Sequence, residues 1–266
     1  MSVNREKALA GIRVESSDHK VLLSRFCDLI DRVIKQHTTE FTYFVSPDLL
    51  GDFFHILTFT RDVAYSVFGG YKEAEYVLVA VHPDYIPMVA DEAFPIDMLV
   101  IEAGRQQSEI EHRDILGSLM ALGFSRERMG DIVLLEDRAQ VMILNDMADY
   151  AVTSLSSVGR NKVTVHRESL SAFMEKPVTY KEMATTVKSV RLDAIIASAY
   201  NLSRSKASDL VNAKRVKVNY RPVQSTSKEL HEGDMVSVRG QGRFILESIL
   251  DRTKKDRIKI IIKKVV

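Results

Sequence analysis

Residues 191–220 read RLDAIIASAYNLSRSKASDLVNAKRVKVNY, and the spacing in this stretch decides the fold of the C-terminal part of the chain. Leu192, Ile195, Ile196 and Ala199 recur at the i, i+3, i+4, i+7 spacing that gives a helix one apolar face. Tyr200-Asn201-Leu202 interrupts it. Ser203 then caps a second helix with Ala207, Leu210 and Val211 on its buried side. Val216 and Val218 alternate with Lys217, a strand that enters a turn at Asn219-Tyr220-Arg221-Pro222. Leu230 and Glu232-Gly233-Asp234 lead into a second strand at Met235, Val236 and Val238. The expected result is a small α/β module.

Past this module, Arg239-Gly240-Gln241-Gly242-Arg243-Phe244 reads as a glycine-bracketed basic loop. Such a loop lays its backbone against a phosphate and offers Phe244 to a base; Phe244 packing inward is the equal alternative. A last strand is expected from Ile258 to Ile262, preceded by Arg252, Lys254, Lys255 and Arg257.

Charge separates this end from the rest. Residues 188–266 hold 18 Lys+Arg against 8 Asp+Glu, a balance of +10, whereas residues 1–187 hold 19 against 28, a balance of −9. A basic end on an acidic body fits a polyanion partner or a solvated surface. The first turn of the Ser203-capped helix carries Arg204 and Lys206. Cations there oppose the helix dipole, whose N-terminus favours anions. Either a phosphate ligand explains them or they are simply exposed.

Upstream, Leu22, Phe26, Leu29, Ile30 and Val33 predict a helix over about 18–35, with Asp18 as its cap. Ser46-Pro47 starts another, with Leu50, Phe53, Phe54 and Leu57 inward. Beyond Phe68-Gly69-Gly70-Tyr71 the period changes. Strands at 97–103, 131–135, 139–144 and 162–166 alternate with helices at 111–122 and 146–155, the β-α-β-β-α-β order of ferredoxin-like domains. RNA-binding domains, enzymes and regulators all use that order, so it does not decide function. The expected class is α+β: a helical N-terminal domain (1–72), a ferredoxin-like middle domain (73–176) and a small C-terminal α/β domain (188–266, core 190–240), with Glu175-Lys176-Pro177 in the connection.

A single cysteine, Cys27, excludes an intrachain disulfide and a cysteine-based zinc site. No apolar run reaches the roughly 18 residues needed to cross a bilayer. The polar start, Met1 to Ile12, lacks the apolar stretch of a secretory signal, so the expected location is the cytoplasm.

Two sets of motifs carry a family resemblance. Arg191-Leu192-Asp193, Ser203-Arg204-Ser205-Lys206-Ala207, Val216-Lys217-Val218-Asn219, Glu232-Gly233-Asp234 and Val236-Ser237-Val238-Arg239 resemble the small RNA-binding domain first described in ribosomal small-subunit protein four. Tyr220 departs from it, since many members have glycine after the asparagine, and a different turn type is expected. Phe68-Gly69-Gly70-Tyr71, Pro83-Asp84-Tyr85 and Glu111-His112-Arg113-Asp114-Ile115-Leu116-Gly117, through Leu122-Gly123 to Gly130-Asp131-Ile132, resemble the YlmH family of bacterial proteins. That resemblance implies three parts, the middle and last binding RNA. It also implies action on the large ribosomal subunit obstructed by peptidyl-tRNA, in ribosome-associated quality control, and it carries a cell-division label.

Catalysis finds little footing. His112, Arg113 and Asp114 are consecutive on a helix and point about 100° apart. Glu111 and Asp114 read better as first-turn charges. Glu109, Glu111 and His112 lack a second ligand set for a metal. The Arg-Leu-Asp motif at 191–193, which resembles the catalytic motif of pseudouridine synthases, is claimed by the RNA-binding domain. No glycine-rich cofactor turn or phosphate loop stands in the right context. The expectation is a non-enzymatic binder of ribosomal RNA or tRNA on the large subunit, with no cofactor, metal, membrane or small-molecule substrate. Arg191, Ser203, Arg204, Lys206, Lys214, Lys217, Arg221, Arg239 and Arg243 are its expected RNA contacts. The alternative is an RNA-modifying enzyme with its active site in the middle domain.

Overall fold

A computed structural model describes residues 3–14, 16–104, 110–176 and 179–265. The chain divides into two compact units, Met1–Lys176 and Pro177–Val266.

The first unit opens with α1 (Arg5–Leu9) and α2 (Ser17–Gln36). Ser16, not Asp18, caps α2: its hydroxyl accepts from the His19 N–H at 3.1 Å. Asp18 instead lies in the first turn, where a carboxylate complements the helix dipole. There follow β1 (Glu40–Phe41), α3 (Pro47–Thr58), β2 (Val63–Phe68) and β3 (Leu78–Pro83). The three strands form an antiparallel sheet in the order β1-β3-β2. The sequence boundary between 72 and 73 falls between β2 and β3, two strands of this one sheet.

The remaining elements are β4 (Ile96–Ala103), α4 (His112–Ala121), β5 (Met129–Leu134), β6 (Arg138–Leu144), α5 (Asn145–Ser154), β7 (Ser157–Val158) and β8 (Asn161–Glu168). Their sheet runs β5-β6-β4-β8-β7, antiparallel throughout. Within it β5-β6-β4-β8 is the interleaved order of the ferredoxin-like arrangement.

Period-two alternation shows how the layers stack. Val79 and Val81 of β3 share a core with Phe26, Ile30 and Phe53 of α2 and α3. Leu78 and Ala80, on the other face, share one with Met98, Val100 and Met142 of the larger sheet. Leu99, Ile101 and Val141 turn to Ile115 and Leu119 of α4 and Ala148 and Ala151 of α5. The unit is therefore four layers, helices, sheet, sheet, helices, and β3 is buried along its whole length because both its faces are covered.

Phe68-Gly69-Gly70-Tyr71 locks two of these layers together. A Cβ on Gly69 would lie 2.4 Å from both Ala74 Cβ and the Tyr76 carbonyl oxygen. Gly70 has φ +98°, and a Cβ there would meet Met142 Sδ at 2.6 Å.

The second unit consists of β9 (Tyr180–Val187), α6 (Leu192–Ala199), α7 (Arg204–Asn212), β10 (Val216–Val218), β11 (Arg221–Pro222), β12 (Met235–Val238), β13 (Gly242–Arg252) and β14 (Ile258–Val265). One antiparallel sheet takes the order β11-β10-β12-β13-β14-β9. Leu192, Ile195, Ile196, Ala207 and Val211 of the helices pack on Val216, Val218, Val236, Val238, Phe244, Leu246, Ile260 and Ile262 of the strands. Two strands exceed the sequence reading, β9 and most of β13. The basic segment 239–244 is a turn feeding β13, and Phe244 is fully buried, against Tyr200 at 5.8 Å between ring centroids. Phe244 is therefore core and is not presented to a base.

Candidate nucleic-acid interface

Asp193 organises the first group of cations. Its position in the first turn of α6 is fixed by backbone bonds to the 226–228 segment: the Leu192 N–H donates to Lys228 O at 2.8 Å and the Asp193 N–H to Thr226 O at 3.2 Å. Its side chain is 6 % exposed, yet Arg204 Nη2 donates to Oδ2 at 2.5 Å and Arg191 Nε to Oδ1 at 3.3 Å. The two arginine side chains stay 39 % and 50 % exposed. Burial pushes the Asp193 carboxyl up, but the hydrogen bonds and charges of Arg204 and Arg191 outweigh it and hold it below the ordinary value. A guanidinium carries five N–H donors, so one carboxylate leaves most of them for another ligand.

Beside them, Ser203 caps α7 as expected, its hydroxyl accepting from the Lys206 N–H at 3.2 Å. Ser203 thus helps to start the helix, and accepting this bond leaves its O–H free to donate elsewhere. The Lys206 side chain is exposed in the first turn.

A second group gathers where β10 begins and β12 ends. Lys214, with φ +57°, ends the α7 turn, and Val216 pairs with Val238. The Arg239 N–H donates to Arg215 O at 2.9 Å, and Arg215 Nη2 donates back to Arg239 O at 3.0 Å. Lys217 pairs with Ser237, which pairs with Arg243, so both cations lie in one row, about 10 Å apart across two strand spacings. Their neighbours Val216, Val218, Val238 and Phe244 are core, so Lys217 and Arg243 occupy the sheet face turned away from α6 and α7. Arg221 begins β11 opposite Val218 and is half-buried.

The nine expected contacts therefore form two groups and do not share one face: Arg191, Ser203, Arg204 and Lys206 at the helix starts, and Lys214, Lys217, Arg239 and Arg243 at the sheet end, with Arg221 on the edge strand. Arg215 was missed. Its place between Lys214 and a strand start was the available signal. In the basic run before β14, Arg257 is half-buried and donates to Thr186 Oγ1 at 2.8 Å, and Arg252 pairs with Asp256 at 2.7 Å, while Arg252, Lys254 and Lys255 are exposed.

Several motif residues act as scaffold. Val218-Asn219-Tyr220-Arg221 is a two-residue hairpin with φ +49° at Asn219 and +65° at Tyr220, the type I′ pattern, so Tyr220 takes the left-handed conformation glycine usually supplies. Asn219 Nδ2 donates to Asp234 Oδ1 at 2.7 Å, and Asn219 Oδ1 accepts from the Met235 N–H at 2.9 Å. In the first unit, Asp114 accepts from the Glu111 N–H at 3.0 Å and Arg113 pairs with Glu111 at 2.9 Å, which makes Glu111-His112-Arg113-Asp114 a helix start. Among the described residues no three His, Cys, Asp or Glu side chains are placed to hold a metal; Glu109 lies outside those residues. Among them, too, no helix is long and apolar enough to cross a membrane.

Three family models match the chain: "YlmH, N-terminal" over residues 18–86, "Putative RNA-binding domain in YlmH" over 89–172, and "S4 domain" over 190–236. A curated protein of Bacillus subtilis (strain 168), "Ribosome-associated protein quality control protein P2", is 31% identical over 256 residues, covering 96% of this chain and 91% of its own. The chain belongs to the YlmH family. A solved structure, "Cell division protein ylmH from Streptococcus pneumoniae", aligns with TM-score 0.51 at 26% identity, over 62% of this chain and 99% of that one. The S4 match spans both helix starts, β10 and β11 and ends inside β12, so this YlmH chain carries its two cation groups in and just beyond that domain.

Proposed function

We propose that the chain is a non-catalytic RNA-binding protein of the ribosome, acting on the large subunit obstructed by peptidyl-tRNA in ribosome-associated quality control. The observation that carries this reading is the S4-type unit with arginines and lysines exposed at two helix starts and one sheet end, on a chain 31% identical to the Bacillus subtilis quality-control protein. Cations of this kind engage phosphates and position a protein on folded RNA without reading sequence. A cell-division role rests on the name of the streptococcal protein and the label its family carries, with no residue here that expresses it.

The test is co-sedimentation of the purified chain with bacterial large subunits, with and without peptidyl-tRNA. The reading expects the chain in the large-subunit fraction, enriched when peptidyl-tRNA is present, and expects no base modification of that RNA. A chain left at the top of the gradient contradicts it. Turnover on rRNA or tRNA would favour the RNA-modifying alternative.

A further inference from the structure

We infer that Asp193 is a positioning residue for RNA binding: its buried carboxylate holds the Arg191 and Arg204 guanidiniums together as one phosphate clamp. This rests on the RNA-binding reading above. Asp193 is itself shut away, with only 6 % of its side chain exposed, and does not meet RNA. Its two partners belong to different elements, Arg191 just before α6 and Arg204 at the start of α7, and both reach back to the same carboxylate at 3.3 and 2.5 Å.

A long side chain that must be ordered on binding loses rotamer freedom, and ordering it beforehand lowers that loss. Asp193 supplies such ordering to two arginines at once. The charge balance points the same way. A single carboxylate under two guanidiniums leaves the trio with net +1, so Asp193 sacrifices positive charge. An interface built for attraction alone would have a neutral residue here; one built for geometry has an acid.

A double-mutant cycle separates these roles. Affinity for a transcript of large-subunit ribosomal RNA is measured by filter binding for the wild-type chain, Asp193→Asn, Arg191→Ala/Arg204→Ala, and the triple variant, each below its melting temperature. Positioning predicts that Asp193→Asn weakens binding about tenfold in the wild-type background and about twofold or less where both arginines are gone. Equal losses in the two backgrounds, or tighter binding by Asp193→Asn, overturn the inference. If Asp193→Asn does not fold, Asp193→Glu, which keeps the charge and moves it by one methylene, enters the same cycle with the same criterion. A wild-type chain that binds no RNA overturns the functional reading and this inference with it. RNA binding that is intact, with an additive cycle, overturns the inference alone.

Discussion

Tyr71 donates its hydroxyl hydrogen to Asp131 at 2.6 Å and thereby ties the loop after β2 to the start of β5, sixty residues on. The same carboxylate accepts the Glu75 N–H at 2.7 Å and the Tyr76 N–H at 3.2 Å. Burial, then the bond to Asp131, pushes the Tyr71 phenol up, well past its ordinary range. One side chain thus satisfies three donors. Asp131→Ala leaves all three without their acceptor and is expected to cost about 3 kcal/mol, against about 1 kcal/mol for Tyr71→Phe. Urea melts of the two variants compare them, and equal midpoints would count against the network.

Two glycines of the first unit give opposite expectations. Gly69→Ala drives a methyl group into the Tyr76 backbone and should cost more than about 3 kcal/mol. Gly117 lies within α4 with nothing within 4 Å of a Cβ, so Gly117→Ala should stabilise by about 0.5–1 kcal/mol. Thermal unfolding of both variants measures the contrast.

The Tyr200 hydroxyl is buried without a hydrogen-bond partner among the described residues, and burial pushes its pKa up to about 12. Tyr200→Phe should therefore be neutral, or stabilising by about 1 kcal/mol, at pH 7. The unfolded phenol ionises near its ordinary value of 10, while the folded one resists. Stability tied to the neutral form is thus complete below pH 10 and lost as pH rises toward 12. Melts at pH 9, 10 and 11 should show the wild-type chain losing ground to Tyr200→Phe, and a constant gap would refute the assignment.

Charge reversal at the start of α7 separates a binding residue from one that also holds the fold. Lys206→Glu puts a carboxylate where the helix dipole favours it, so the melt should stay within about 0.5 kcal/mol of wild type while RNA affinity falls about tenfold. Arg204→Glu sets a carboxylate against buried Asp193. It should also cost about 1–2 kcal/mol of stability, a figure reduced for the half-exposed arginine. From sequence alone the two substitutions look alike; the Arg204–Asp193 pair distinguishes them.

What sequence reveals here follows from how local the signal is. The helices α2, α3, α6 and α7 announce themselves by apolar spacing, α7 also by its Ser203 cap, and the strands of the ferredoxin-like sheet by alternation between turn residues. β9 is hidden because Tyr180, Lys181 and Glu182 are exposed on an edge strand, and only Met183 and Val187 carry an apolar signal. The left-handed glycines Gly240 and Gly242 made the start of β13 look like an open loop. β3 reads as a continuous apolar run, and nothing local says that its two faces serve two different cores. For the cations, sequence singled out Arg204, Lys206, Lys214, Lys217, Arg239 and Arg243, all exposed, and passed over the exposed Lys188, Arg215, Lys228 and Lys259. It could not place Lys217 and Arg243 behind the sheet, nor Asp193 under two arginines, because both depend on register and on contacts between elements.

The central claim is that cations of the second unit bind RNA phosphates, and the most direct measurement is the salt dependence of affinity for large-subunit ribosomal RNA. With six phosphate contacts, log affinity against log salt should fall with a slope of about −4 to −5, and Lys206→Glu should flatten that slope by about 1. A flat response in the wild-type chain, or a slope that Lys206→Glu leaves unchanged, would contradict the account.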